Sequence, residues 1–540
     1  MRLKKKSAKN ESYAYTVFAA LLLLFSIRLC GLYGCGEAVN SFFLTFLLCM
    51  AFPFCCIIAA RFFIKERRSN GNRRNAFSYY KTCILMILAY LTLSVPAVIF
   101  FKDKLSQYFF TGKSGEGLIV SGCLIMAFCA VAQSVYLILA ERLRTVSADL
   151  FKLTALIVLT ILFGVLYTPF KSGRDKVVLL LDSENAGGIY IAGCIFTVAA
   201  VFALMLALYM IFIYRSVKKR IKAEIRKDIQ EKREPVFVNI FHEAAGLFAV
   251  FMPLFVFVPV IFFDIRNKNN TESVVAGPAC LLIIYHLSAL ILPFHLLYRE
   301  LSVDGYLLYV AYRHEARAEA KSRIEEMMRC IMPSVFFMTA VFASLSPAIL
   351  KLICAVDEKK SFIYASVFSL SVPFGLFALF FLSVLISVRQ KGRAAVSVYA
   401  AVIPAVLIYV IMRGKGIDPM LAVSVSLSLC EIILCFFAGF IMLRFFDASF
   451  PMYEAIRYVI TMIASGLAMA FIFLLLEIAG LHAAIAVIPA FIAGGFLYLI
   501  LIFVLGVFKK EDIPGQPFAG IVLRAAQLAG FAKKKKKRRV

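Results

Sequence analysis

Tryptophan is missing from this chain, and charge is scarce. Charged residues make up 17% of its 540 positions, against about 25% in soluble domains. Acids are the scarcer sign, with 32 Asp and Glu against 59 Lys and Arg. With 62% hydrophobic residues and a mean hydropathy of +0.88, the chain cannot cover a water-facing surface with polar groups. That excludes soluble-enzyme readings. Without Trp, interfacial anchoring falls to the 23 Tyr and to Lys and Arg.

Enzyme motifs are also missing. The segment 111–117, "TGKSGEG", holds Gly-Lys-Ser but lacks the earlier glycine of a phosphate-binding loop. There is no Gly-x-Ser-x-Gly and no His/Cys set with metal-ligand spacing, so no cofactor is implied. None of the 14 Cys forms a Cys-x-x-Cys pair. Almost all lie within apolar runs and read as small packing residues. Only Cys30 and Cys35 are placed where they could bridge.

What the chain does have is a long series of apolar runs, each near the 20 residues that cross about 30 Å of hydrocarbon. They predict an all-α polytopic membrane protein with about fourteen transmembrane helices. The expected limits are 13–34, 39–64, 79–102, 117–141, 147–170, 187–214, 236–263, 274–311, 328–354, 361–388, 394–413, 416–445, 453–478 and 482–508. Pro293 is expected to bend the eighth run, which is too long to be straight. The first run outlasts a signal-peptide core and has no cleavage site at the right distance, so it reads as a retained span.

Charge gives the orientation. With the N-terminus inside, 45 of the 59 Lys and Arg fall on inner segments and 13 on outer loops, with Arg28 left over inside a span. This obeys the positive-inside pattern and puts both termini in the cytoplasm. The net charge of +27 then belongs to loops facing anionic lipid and to the tail "KKKKKRR", Lys533 to Arg539. Anionic membrane lipids are therefore expected partners of that tail, and nucleic acid is not.

Arg61 and Arg313 lie 252 apart in matching span exits, and Arg144 and Arg393 lie 249 apart in another pair. Two matches near one offset predict two pseudo-symmetric six-helix lobes. The expected division is an N-lobe at 1–214, a basic linker at 215–235, a C-lobe at 236–445, two further spans at 446–508 and a polybasic tail at 509–540. Duplicated lobes with a site between them are a recurrent transporter plan.

Several stretches resemble a known family. "IRLCGLYGCGEAVNSFFLTF" with "AARFFIKE", then "LPFHLLYRELSVDGYLLYVAYRHEARAEAKSRIEEMMRCIMPS", and finally "KKEDIPGQPFAG" are similar to the polysaccharide exporters that include stage V sporulation protein B. Their wider group, the MOP superfamily, holds the MurJ flippases, O-unit translocases and MATE antiporters. The resemblance implies a V-shaped fold of two lobes working by alternating access in a bacterial cytoplasmic membrane. It also implies a cargo of polyprenyl-diphosphate-linked saccharide for cell-wall, spore or surface polymer. Two departures stand out. "IIYHLSALILP" has no Arg before its Leu-Pro, and span eleven has no acid, so neither H+ nor Na+ is assigned as coupling ion. A MATE-like drug exporter, and a membrane enzyme or scaffold of the same pathway, are the competing readings.

A diphosphate needs cationic partners, and Arg presents paired donors to its oxygens. Arg28 in span one, Arg61 in span two and Arg299 in span eight are the candidate cavity cations, with His286 and His295. The resemblance puts spans one, two, seven and eight along the cleft. The plainer readings are snorkelling for Arg28 and Arg61 and pairing of Arg299 with Glu300 or Asp304. His286 and His295 are nine apart, on opposite helix faces unless Pro293 rotates them. Glu431, within "SVSLSLCE", is the acid placed deepest in a span, and a carboxylate there needs a proton or a partner. It is the first coupling candidate. His242 and Glu243 at the inner mouth of span seven are the second.

Overall fold

A computed structural model describes residues 51–69, 73–109, 235–268, 316–349 and 371–507, with scattered positions elsewhere, chiefly in 119–131. Arg28, His286, His295, Arg299, Pro293, the linker and the polybasic tail lie outside the described residues. Every described element is a helix. Hydrocarbon offers backbone N–H and C=O groups no partner, so a lipid-crossing chain must satisfy them within itself.

The ten helices named here are α1 (Ala51–Ser69), α2 (Arg73–Phe100), α3 (Lys102–Phe109), α4 (Val236–Lys268), α5 (Arg317–Ile349), α6 (Val372–Ser387), α7 (Lys391–Gly414), α8 (Pro419–Phe446), α9 (Met452–Ile478) and α10 (Ala483–Val504). Seven of them hold a stretch long and apolar enough to cross a membrane. The apolar parts of α1 and α6, at Ala51–Ile64 and Val372–Ser387, are shorter. The observed limits follow the expected spans closely in α7 to α10. α3 was not foreseen. It is a short helix in the loop read as outer, where Asp103 in its first turn complements the helix dipole.

α5 also differs from expectation. It starts at Arg317, well before the expected start of the ninth span at 328, and runs for 33 residues, roughly 50 Å. The reason is a continuous apolar stripe. Ala320, Ile324, Met327 and Met328 are buried and lead directly into Ile331, Met332 and Val335. The basic exit segment and the span are therefore one helix, with its charged face outside.

The chain divides into two compact units, Met1–Ala276 and Gly277–Val540. In the first, α1, α2 and α4 pack together. Phe52 contacts Tyr90 at 5.0 Å and Phe248 edge-on at 6.0 Å, and the Tyr90 hydroxyl donates to the Leu48 carbonyl at 2.8 Å. α4 packs on both α1 and α2. All seven described cysteines are free and six of them are buried. They fill space as small apolar groups.

In the second unit α6 lies in the middle, packed on α8, α5 and α7. Its apolar side chains, Phe377, Phe380, Phe381 and Leu385 among them, are buried on all sides. Gly439 of α8 allows the ring of Phe381 to approach, since a Cβ there would sit 2.8 Å from that ring. α5, α9 and α10 share a second core of Val341, Leu345, Met469, Phe473 and three alanines of α10. The Tyr498 hydroxyl donates to the Pro333 carbonyl at 2.8 Å, joining α10 to α5. The opposite faces are apolar and exposed. On α9, Ile456, Ile460, Ile463, Leu467 and Phe471 form a stripe that in water would be an aggregation surface. It is a lipid-facing side, and the chain is a multi-pass membrane protein.

Loops are closed by polar contacts at the helix ends. Glu325 of α5 accepts from both the backbone N–H and the hydroxyl of Ser449, each at 3.1 Å, and so holds the α8–α9 turn. Arg457 donates to the Leu505 carbonyl at 2.8 Å, satisfying an orphan acceptor past the end of α10. Gly416, Gly480 and Gly506 have positive φ just past three helices, with the paired reverse hydrogen bonds of a Schellman ending.

The tightest helix approach is testable. A Cβ at Gly494 of α10 would lie 2.0 Å from Met469 Cγ on α9. Gly494→Val should lower the thermal unfolding midpoint in detergent by several degrees, an overpacking cost of about 1–3 kcal/mol. Gly414→Ala, where nothing lies within 4 Å, should leave the midpoint unchanged. Equal midpoints for the two variants would contradict the α9–α10 packing.

Candidate functional site

Two polar groupings interrupt the apolar packing, one in each unit. In the first unit the polar layer lies near the C-terminal end of α1 and the N-terminal ends of α2 and α4. Arg61 is half-buried on α1 and shares its least buried stripe with Phe54 and Ile58. One turn on, Glu66 is 4% exposed. Tyr79 of α2 is fully buried and stacks on Phe63 at 4.8 Å. Asn239 of α4 donates its side-chain amide to the Tyr79 hydroxyl at 2.8 Å. Glu243 follows Asn239 by one helical turn and is half-buried. The buried amide–phenol contact thus joins α2 to α4, with Glu243 one turn further along α4.

His242, the neighbour of Glu243, is exposed. Adjacent residues on a helix point about 100° apart, which puts the imidazole on the side of Val238 and Phe241. Among the described residues no cluster of His, Cys, Asp and Glu has the arrangement of a metal site.

In the second unit Glu431 lies midway along α8 and is half-buried. Ser424 and Ser428 fall two turns and one turn before it on the same face and are 7% and 8% exposed. Among the described residues the hydroxyls of Ser428 and of fully buried Ser426 have no hydrogen-bond partner. A buried hydroxyl without a partner forfeits about 1–3 kcal/mol, so an apolar residue would stabilise the helix better. The run 424–431 carried this signal. Its serines alternate in sequence, and only the helical period brings Ser424 and Ser428 into line with Glu431.

The architecture has clear counterparts. The chain aligns with the lipid II flippase MurJ in an inward closed conformation at a TM-score of 0.59 and 13% identity, covering 92% of this chain and 98% of that one. It aligns with an inward-facing multidrug resistance MATE family transporter at a TM-score of 0.58 and 11% identity, covering 80% and 94%. A MOP superfamily transporter from Pyrococcus furiosus, described as having a binding pocket of reversed polarity, matches at 0.58 and 12%, covering 81% and 94%. No family model and no curated protein matches the chain.

These likenesses show the fold, a helical membrane architecture similar to that of the MATE and MurJ structures. Its solved counterparts include both drug transporters and a lipid-linked precursor flippase. Fold alone does not choose between such cargoes, so the choice rests on the chemistry of the site.

The two groupings make opposite predictions about stability. Ser428→Ala should keep or raise the unfolding midpoint, because the hydroxyl has no partner to lose. Tyr79→Phe should destabilise by about 1 kcal/mol, because the Asn239 amide loses its buried acceptor. Thermal unfolding of the two purified variants checks both signs. A destabilised Ser428→Ala would mean that the hydroxyl is bonded.

Proposed function

We propose that this protein is a flippase that moves a polyprenyl-diphosphate-linked saccharide across a bacterial cytoplasmic membrane by alternating access. The observation that supports this reading most is the extent of the MurJ likeness, 92% of the chain against 80–81% for the MATE and Pyrococcus structures. The difference is comparable in length to the α9–α10 hairpin, whose helices have 27 and 22 residues. A hairpin beyond a two-lobe transporter, with an exposed apolar stripe, gives a long polyprenyl tail a surface to lie against.

The cationic residues supply the rest of the reading. Arg28, Arg61, His286, His295 and Arg299 would meet the diphosphate along its path, each Arg offering a paired-donor fork. Cationic drug cargo would be repelled by the same groups. Glu431, with the serines beside it on α8, is the candidate for proton or cation coupling, and Glu243 with His242 is the second. A coupling ion is not obligatory. With the cell interior negative, outward movement of an anionic head gains about 2.3 kcal/mol per charge per 100 mV. Lipid surfaces would also hold the Lys533–Arg539 tail.

Reconstitution tests the proposal. Vesicles holding the purified protein and a fluorescent polyprenyl-diphosphate sugar should carry the label across the bilayer, read by protection from an outside quencher. Arg28→Ala and Arg61→Ala should each slow this at least tenfold while expression and unfolding midpoint stay unchanged. Transport of organic cations without movement of the lipid-linked sugar would overturn the proposal in favour of drug export.

A further inference from the structure

The second unit carries a cavity of about 960 Å³ lined by none of the residues proposed above to meet the cargo. It lies where the first turn of α5, the first turns of α7 and the last turns of α8 meet. Four cations line it: Arg317 and Lys321 from α5, Arg393 from α7 and Arg444 from α8. Asp447 is the one acid in the lining. Among the described residues none of these five side chains forms an ion pair, and the nearby Glu319 is taken by Arg323 at 2.8 Å. Two of the cations are held in place by aromatic rings. The Arg393 guanidinium stacks over Phe445 at 4.3 Å, and that of Arg444 faces Phe440 at 6.0 Å.

The backbone adds to this charge. Gly392, in the first turn of α7, lines the cavity, and a Cβ there would meet nothing within 4 Å. The N-cap Gln390 makes no side-chain cap, so the first N–H groups of α7 remain available to an acceptor at the positive end of a 24-residue helix.

What lies below the cations identifies the occupant. Val396 and Phe440 also line the cavity and are 59% and 63% exposed. From Val396 an exposed apolar stripe continues along α7 through Tyr399, Ile403, Leu407 and Val410. Phe436 continues the exposed face of α8 one turn from Phe440. A positive pocket thus opens onto a lipid-facing apolar surface. Its end of the unit is the basic one. Arg317, Lys321, Arg323, Arg329, Arg389, Lys391, Arg393, Arg444 and Arg457 lie there, against Arg413 and Lys415 at the far ends of the described helices. That is the cytoplasmic side, where the leaflet is anionic.

We infer that this pocket is a binding site for an anionic phospholipid of the cytoplasmic leaflet, with its phosphate among Arg317, Lys321, Arg393 and Arg444 and its acyl chains along the exposed faces of α7 and α8. The site depends on the membrane-spanning fold and not on the nature of the cargo. An occupant there bridges α5, α7 and α8 at one end of the unit and neutralises cations that otherwise repel one another.

Native mass spectrometry of the full chain, released from nanodiscs of phosphatidylcholine with phosphatidylglycerol, tests the site. The wild type should retain phosphatidylglycerol in preference to phosphatidylcholine. Each cation removed should weaken retention about fivefold. Lys321→Glu touches no aromatic ring and serves where Arg393→Gln or Arg444→Gln perturbs folding. Asp447→Asn should tighten retention, while Lys415→Ala at the opposite end should leave it unchanged. Retention that ignores Lys321→Glu, or that falls in Asp447→Asn, would overturn the inference. So would displacement of the lipid by millimolar inorganic phosphate, which would mark a site for soluble anions. Flipping of the polyprenyl-diphosphate sugar, measured on the same variants, separates this site from the cargo path, since lipid retention can fail while flipping persists.

Discussion

Hydrocarbon cannot accept or donate a hydrogen bond, and that constraint organises the molecule. It obliges each crossing segment to be a helix, because only a helix satisfies its own backbone in lipid. It leaves packing to shape rather than to water exclusion, since lipid tails are as apolar as the side chains they meet. Small residues carry the closest contacts for this reason. Gly494 allows Met469 to fill the space between α9 and α10, and Gly439 does the same for Phe381 between α6 and α8. The alanines of α10 at 483, 486 and 490 extend that contact against α5 and α9.

The same constraint makes polar groups inside the apolar region informative. A polar side chain there is bonded, or else it represents a cost the fold bears. The Asn239–Tyr79 pair belongs to the first kind, and the hydroxyls of Ser426 and Ser428 to the second. Charge at the helix ends behaves differently, because it meets water and headgroups. Arg457 caps α10, Glu325 ties down the α8–α9 turn, and Arg317, Lys321, Arg393 and Arg444 surround a cavity instead of pairing with acids.

Much of the architecture was legible in the sequence because its strongest signals are length and hydropathy. The limits of α7, α9 and α10 follow from apolar runs ended by Gly416, Gly480 and Gly506, where left-handed turns favour glycine. α5 was read short because Arg323, Glu325 and Glu326 lower the hydropathy just before 328. The helix continues because Ala320, Ile324 and Met328 keep the 3.6 period beneath a charged face. The basic cavity was not legible at all. Its cations come from three helices and spread over more than a hundred residues of chain, and only packing brings them together. Of the eight side chains expected at the site, Arg61, His242, Glu243 and Glu431 lie among the described residues. Arg61 is half-buried on α1, Glu243 is half-buried one turn past the Asn239–Tyr79 contact, and His242 is exposed. Glu431 proved to have serine neighbours that alternate in sequence and align only on a helix.

The account as a whole treats cations along a membrane path as a reader of phosphate. The most direct measurement uses vesicles holding two labelled cargoes with the same polyprenyl tail, one ending in a sugar diphosphate and the other in an uncharged sugar. The account predicts that the protein moves the diphosphate cargo and leaves the neutral one at the rate seen in protein-free vesicles. Equal movement of both would contradict it.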